Sequence, residues 1–103
     1  MSDLKAIQDA VIAGNYQYTT RALIRTTERR ISRAEIEQVI AVAEIIEEYP
    51  DDKYGPSCLL YGETRNGRRL HVLVSSLPVR VKIISAYDPD PDEWEDYRVR
   101  RAK

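Results

Sequence analysis

The spacing of apolar and polar residues divides the chain into an N-terminal half with helical periodicity and a C-terminal half with the alternation of strands. A first helix is predicted from a cap at Ser2 or Asp3 to about Ala13, because Gly14 follows as a stop signal. A threonine cap predicts a second helix over residues 21–30. The pattern therefore places helices before the strands.

The third helix has the clearest start signal. Ser32 and Glu35 stand three positions apart, directly before an apolar run of helical period, as in a capping box. In that arrangement each side chain accepts a hydrogen bond from the other residue's backbone N–H. The buried face of this helix is predicted to consist of Ile36, Val39, Ile40 and Ala43.

Helices followed by strands predict an α+β fold. The expected architecture has two to three N-terminal helices on one face of a roughly four-stranded antiparallel β-meander, whose first and last strands are residues 44–49 and 81–87. The proline-rich run 88–92 ends the last strand, and a short C-terminal helix or tail containing Trp94 follows. The length predicts a single domain over residues 1–103.

The two middle strands flank Asn66-Gly67, a sequence typical of a two-residue hairpin turn in which both residues have positive φ. Counting outward from this turn pairs Gly62 with His71, so that the imidazole of the only histidine faces a position without a side chain. One face of the hairpin is then predicted to hold Leu59, Tyr61, Leu70, Val72 and Val74, and the other Cys58, Leu60, His71 and Leu73.

Composition and charge narrow the functional classes. The net charge of −1 argues against indiscriminate binding to nucleic acid, yet residues 19–33 carry five arginines and one glutamate. Cys58 is the only cysteine, which excludes an internal disulfide and a cysteine-based metal site. No apolar run approaches the ~20 residues of a membrane helix, and the start lacks the apolar core of a signal peptide. A cytoplasmic protein that does not bind membranes is therefore predicted.

Several short motifs resemble a bacterial family, the domain of unknown function 4258. They are Thr20-Arg21-Ala22, Arg25, Arg29, Ile31-Ser32, Ile45-Ile46-Glu47-Glu48-Tyr49-Pro50, Leu59-Leu60-Tyr61-Gly62, Leu70-His71-Val72 and Tyr87-Asp88-Pro89-Asp90. The resemblance covers about residues 16–95, behind an N-terminal helix in residues 1–15. It implies a RelE-like fold, shared with barnase-like and colicin-type ribonucleases, in which helices cover one face of a small sheet and the other face presents RNA-cleaving side chains. The family pattern usually reads His-Ala where this chain has Arg21-Ala22.

Metal-independent RNA cleavage requires a base, an acid and cations that hold the phosphate. The candidate catalytic residues are His71, Arg21, Arg25 and Tyr87, with Tyr61 as an alternative tyrosine. Spacing of i, i+4 and i+8 places three arginines in one stripe on the second helix, and two more lie at the hairpin tip. The candidate RNA- or phosphate-binding residues are Arg21, Arg25, Arg29, Arg68 and Arg69.

Each candidate also has a structural interpretation. His71 is alternatively a packed strand histidine bonded to a neighbour, and the arginine stripe a solvated helix face with Glu28 as a partner. The acidic run 88–93 lacks the glycine and ligand order of a calcium loop, so turn and cap roles are expected and neither metal nor cofactor is predicted. Two functions remain: a toxin-like ribonuclease or its non-cleaving RNA-binding relative, and a protein-interaction module with a partner such as an antitoxin.

Overall fold

The computed structural model describes residues 2–53, 55–75 and 80–102. Its helices are α1 (Leu4–Ile12), α2 (Thr20–Glu28) and α3 (Arg33–Val42), and a short strand β1 (Tyr16–Tyr18) lies between the first two. The later strands are β2 (Glu44–Tyr49), β3 (Ser57–Glu63), β4 (Arg69–Ser75), β5 (Val81–Tyr87), β6 (Trp94–Glu95) and β7 (Val99–Arg100). The predicted α+β class is confirmed.

Local capping explains where the helices begin. The Asp3 carboxylate accepts a hydrogen bond from the Ala6 N–H at the start of α1. Before α3, the Ser32 hydroxyl and the Glu35 carboxylate form the predicted capping box. Of the two alternatives predicted for the C-terminus, a short helix or a tail, the helix is wrong, because β6 and β7 pair there as a small hairpin. No helix in the described part of the chain is long and apolar enough to cross a membrane.

The main sheet has five strands in the order β1-β5-β4-β3-β2. Strands β2 to β5 are antiparallel neighbours, as predicted, but β1 pairs in parallel with β5. The Thr19 N–H extends that pairing with a 3.0 Å hydrogen bond to the Ile83 carbonyl. The predicted four-stranded antiparallel meander is therefore present as β2 to β5, but the prediction missed the fifth strand, which is parallel. A three-residue strand carries little alternation, and its partner lies far along the chain.

The β3–β4 turn has three residues rather than two. The Thr64 N–H donates to the Arg68 carbonyl at 2.8 Å, and the Gly67 N–H donates to the Thr64 carbonyl at 2.9 Å. Gly67 has a φ of 86°, whereas Asn66 is not among the residues with positive φ. This is the three-residue loop in which a left-handed glycine follows a type I turn. The Thr64 hydroxyl supports it by accepting the Arg68 N–H at 3.0 Å.

The longer turn shifts the predicted strand register by one residue. Tyr61, not Gly62, pairs with His71, and Gly62 pairs with Leu70. The predicted faces are therefore wrong. The residues of β3 that were predicted on one face of the hairpin share a face with the β4 residues that were predicted on the opposite one. The helix-covered face holds Cys58, Leu60, Leu70, Val72 and Val74. The opposite face holds Leu59, Tyr61, His71 and Leu73.

Helix α3 packs on the sheet through Ile36, Val39 and Ile40, all at most 1% exposed. Gly62 lies directly beneath this helix. A Cβ atom at Gly62 would stand 2.7 Å from the Val39 carbonyl oxygen, which belongs to the backbone and cannot rotate away. The glycine therefore allows α3 to approach β3 closely and does not leave space for the imidazole.

Because of this contact, Gly62→Ala is expected to lower the free energy of unfolding by about 1–3 kcal/mol through overpacking. Urea denaturation of the full chain measures the change. Glu63→Ala, at the exposed next position of the same strand, is the control and should stay within about 0.5 kcal/mol of the parent. Equal stabilities for the glycine variant and the parent would contradict the close approach.

Candidate functional site

His71 lies at the centre of the sheet face that the three helices leave uncovered. It pairs with Tyr61 on β3 and with Tyr87 on β5, so three ring side chains form one row across adjacent strands. The ring centroids of His71 are 5.9 Å from Tyr61 and 5.3 Å from Tyr87. His71 is nevertheless 0% exposed. The row is therefore covered by another part of the chain.

Both nitrogens of the imidazole are engaged within the protein. His71 Nε2 lies 2.6 Å from the Tyr97 carbonyl oxygen, which only accepts, so Nε2 carries the proton and donates it. Nδ1 lies 3.2 Å from the Tyr87 hydroxyl and therefore accepts its proton when the ring is neutral. Burial lowers the pKa of His71, which favours this neutral form.

The C-terminal hairpin, residues 94–100, covers the row. The Trp94 ring meets His71 at a centroid distance of 4.4 Å and an angle of 89°. The Tyr97 ring lies parallel to Tyr61, with centroids 6.1 Å apart and 6° between the planes. Asp96 and Tyr97 form the tip with φ values of 51° and 60°, a backbone conformation that is rare for tyrosine.

Arginine side chains fasten this hairpin to strand β2. Arg98 pairs with Glu44, and Arg100 pairs with Glu47 at 3.1 Å. The Arg98 guanidinium also lies 4.7 Å from the centre of the Tyr61 ring. Within the described residues, strands β6 and β7 pair with each other and not with the main sheet. The hairpin is therefore attached through side chains and one histidine–carbonyl hydrogen bond.

Beside the covered row, a groove of about 330 Å³ opens on the same face of the sheet. Half-buried Tyr87 reaches it, and Leu59 and Leu73 contribute apolar lining. Burial raises the pKa of Tyr87 to about 12, so its hydroxyl is protonated at neutral pH. The described residues contain no group of three or more His, Cys, Asp or Glu side chains placed to hold a metal ion.

The predicted arginine stripe lies on α2, on the other side of the sheet. Ala22 and Thr26 are the buried residues of this helix, and Arg21, Arg25 and Arg29 are exposed. Arg29 Nη1 donates to the Ala86 carbonyl at 2.8 Å, and Arg25 makes an exposed 3.8 Å ion pair with Glu28. Arg21 has no side-chain partner among the residues that the structure describes.

The structure therefore separates the predicted catalytic set. His71 and Tyr87 are joined by a hydrogen bond on the sheet face that carries no helix. Arg21 and Arg25 project from a helix that packs on the opposite face, where Ala22 joins the main core. The sheet stands between the two groups, so no phosphate can contact all four residues together in this conformation.

Arg68 occupies a different environment from the other predicted phosphate ligands. Its Nε and Nη2 donate to the two Asp88 carboxylate oxygens at 2.8 and 2.9 Å, and Nη1 donates to Glu35 at 3.2 Å. The guanidinium also donates to the Arg29 and Arg30 carbonyls at 3.1 and 2.9 Å. Arg68 thereby joins four segments of the chain, and it lowers the pKa of Asp88.

Arg33 forms a further basic group that was not predicted from the sequence. The Arg33 guanidinium lies 5.0 Å from the Tyr16 ring centre and 5.3 Å from that of Tyr18. Arg33 Nη1 also donates to the Tyr16 hydroxyl at 3.0 Å. The two tyrosines lie in β1 and the arginine lies in α3. The only signal for this stack in the sequence is therefore the Tyr-Gln-Tyr alternation of β1.

Comparison with known proteins identifies one family. Residues 18–88 match the model of a family described as Domain of unknown function (DUF4258). No curated protein and no solved structure matches the chain. The matched segment extends from the end of β1 to the residue after β5. It includes α2, α3 and His71, but the hairpin that covers His71 lies outside it.

The lowered pKa of His71 predicts a pH dependence of stability. Below the ordinary histidine pKa of about 6.5, the unfolded chain binds a proton that the folded chain excludes. The free energy of unfolding should therefore be fully retained above about pH 6.5 and fall at lower pH. Urea denaturation at about pH 7.5 and about pH 5.5 tests this. His71→Gln should reduce the difference, and an unchanged difference would contradict a buried neutral imidazole.

The Arg68 contacts predict a structural role for this side chain. Arg68→Ala removes one donor from each of two carboxylates and two carbonyls, so we expect a loss of about 2 kcal/mol or more in the free energy of unfolding. Arg65→Ala is the control in the same turn, because the Arg65 side chain is exposed and unpaired among the described residues. Denaturation curves that coincide for the two variants would exclude this role.

Proposed function

We propose that this chain, which belongs to the DUF4258 family, binds RNA through a basic surface on α2 and does not cleave it. The supporting observation is the state of Arg21 and Arg25. Both are exposed, and neither forms a buried ion pair. Residues 19–33 contain five arginines and one glutamate in a chain whose net charge is −1, so positive charge is concentrated on this helix and the following turn. Such a patch attracts a phosphate backbone.

The geometry of α2 suits phosphate contacts. Arg21 and Arg25 are one helical turn apart, so their guanidinium groups project on the same side of the helix. Each guanidinium carries five N–H donors in a fixed plane and binds phosphate oxygens in pairs. Tyr18 precedes the cap of α2 by one residue, and Arg33 lies over its ring. This stack offers planar surfaces for an unpaired base beside the arginines.

The surroundings of His71 favour binding over cleavage. A general base must reach the proton that it removes, and His71 is 0% exposed with both nitrogens engaged. A protonated Tyr87 is also a poor base at neutral pH. The RelE-type ribonuclease activity that the family resemblance implies would require the hairpin to move and the arginines to act from the other side of the sheet.

A protein partner is the second candidate. Leu23 and Ile24 are 53% and 55% exposed on α2, among the same arginines. Aliphatic side chains make no contact with phosphate, but they suit an amphipathic partner segment with acidic residues. An antitoxin-like protein would have this chemistry. Leu23→Ser with Ile24→Ser separates the two candidates, because it should weaken a protein complex and leave RNA binding unchanged.

The first test is binding of labelled single-stranded and structured RNA by the purified full chain in EDTA. Arg21→Glu with Arg25→Glu should weaken binding about tenfold or more and lower the salt slope by about 2, because two phosphate contacts are lost. Lys5→Glu with Lys82→Glu makes the same charge change at exposed positions elsewhere and should have a smaller effect.

Two results would contradict the proposal. An affinity that falls equally in both double variants would show that net charge alone attracts RNA. Cleavage of the RNA by the parent, lost in His71→Ala, would show that the protein is a metal-independent ribonuclease and that His71 acts in it. Retention of intact RNA by the parent, weakened by the α2 variant alone, is the expected result.

A further inference from the structure

The sheet face without helices carries a row of rings that is not part of the proposed α2 surface. His71 on β4 pairs with Tyr61 on β3 and with Tyr87 on β5. A sheet that displays rings from neighbouring strands is one of the recurring ways in which proteins stack the bases of single-stranded RNA. The three-residue turn sets the Tyr61–His71 pairing, and the separate pairing of β4 with β5 adds Tyr87 to the row.

Other rings already occupy the positions above the row. Tyr97 lies parallel to Tyr61 with 6° between the planes, as a stacked base would. The Trp94 and His71 rings pack in a T-shaped arrangement with their centroids 4.4 Å apart. The Tyr97 carbonyl accepts a hydrogen bond from His71 Nε2–H. The hairpin thus supplies planar groups and an acceptor, which are the two features that a nucleobase offers to such a surface.

Arginine side chains lie around the covered row, and two of them, Arg98 and Arg100, pair with Glu44 and Glu47 of β2. The Arg69 guanidinium lies 4.7 Å from the Tyr97 ring centre, and Arg98 lies at the same distance from Tyr61. Arg100 stands 4.6 Å from the Trp94 ring centre. If the hairpin leaves, Arg69 stays beside the row on β4 as a contact for the backbone of a bound strand.

The attachment of the hairpin is suited to release. In the part of the chain that the structure describes, it shares no backbone ladder with the main sheet. Its Arg98–Glu44 and Arg100–Glu47 ion pairs are solvent-accessible, so water and salt weaken them. Tyr97 holds a left-handed φ of 60° in the closed state, which is unfavourable for a tyrosine. The hairpin also lies beyond the segment that matches the family.

We propose that Tyr61, His71 and Tyr87 form a second binding surface, for the bases of single-stranded RNA, and that the hairpin of residues 94–100 occupies it until such a strand displaces it. The bases stack on the tyrosines, and the His71 Nε2–H, released from the Tyr97 carbonyl, donates to a base carbonyl or a phosphate oxygen. This inference does not depend on the α2 surface, which lies on the other side of the sheet.

Trp94 provides a direct readout because it is the only tryptophan of the chain and is 2% exposed. The experiment titrates an oligouridylate of about eight nucleotides into the full-length Arg21→Glu, Arg25→Glu variant, in which the α2 surface is disabled. Displacement of the hairpin should shift the Trp94 emission to longer wavelength in a saturable manner. The shift and the affinity then report on the second surface alone.

Loosening the hairpin should tighten binding. Glu44→Gln with Glu47→Gln removes the charges that anchor Arg98 and Arg100 while it keeps both arginines. Because less free energy is then needed to open the surface, we expect an affinity about fivefold higher. Asp9→Asn with Asp51→Asn makes the same charge change at exposed positions and should have a smaller effect.

A ring substitution completes the design. In the loosened variant, Tyr61→Leu should weaken oligonucleotide binding about tenfold, because one stacking surface is lost, whereas Tyr87→Phe keeps its ring and should bind as before. Circular dichroism verifies that each variant is folded.

Three outcomes would overturn the inference: no binding of the oligonucleotide, binding without a change in Trp94 emission, or equal affinities for the loosened variant and its charge control. Each of these leaves the α2 proposal intact, since that surface is measured separately in the parent chain. Conversely, loss of the α2 proposal alone appears as unchanged RNA affinity when Arg21 and Arg25 are reversed.

Discussion

The register of the β3–β4 hairpin is the constraint on which the rest of the structure depends. Three loop residues, with Gly67 in the left-handed region, shift the pairing by one position relative to a two-residue turn. Because side chains alternate between faces, this shift determines which side chains of β3 and β4 are neighbours on each face of the sheet. Gly62 comes to lie under α3, where a methyl group would meet the Val39 carbonyl. Tyr61 comes to lie beside His71.

The sheet then divides the chemistry of the molecule in two. The exposed arginines of α2 lie on the helix side, and the His71–Tyr87 pair lies on the other side beneath the hairpin of residues 94–100. A reaction that needs His71 together with Arg21 and Arg25 has no common site in this arrangement. Binding needs only one surface at a time. The arginines of α2 are exposed for it, whereas the His71–Tyr87 pair becomes accessible only when the hairpin is displaced.

Charge has different roles in similar side chains. Arg68 is surrounded by Glu35, Asp88 and two carbonyls and therefore stabilises the contact between the turn, α2, α3 and the end of β5. Arg69, the next residue, projects on the other face of the sheet, near the covering hairpin. Two neighbouring arginines thus have different surroundings, because successive side chains of a strand point to opposite faces of the sheet. Arg68 is held in a network of hydrogen bonds, whereas Arg69 lies on the face that carries His71.

Features that depend on residues close together in the chain could be predicted from the sequence. Helix periodicity and the Ser32–Glu35 capping box depend on residues a few positions apart, and the short connections between successive strands favour the antiparallel order of β2 to β5 and the α+β class. Tertiary structure alone decided the parallel pairing of β1 with β5, the contacts of Arg68 and the burial of His71 under Trp94 and Tyr97. These contacts join residues that are distant in the chain, so no local pattern carries them. The hairpin register lies between the two, because Asn66-Gly67 allows two turn lengths and the Thr64 bonds and the packing of α3 on Gly62 select one.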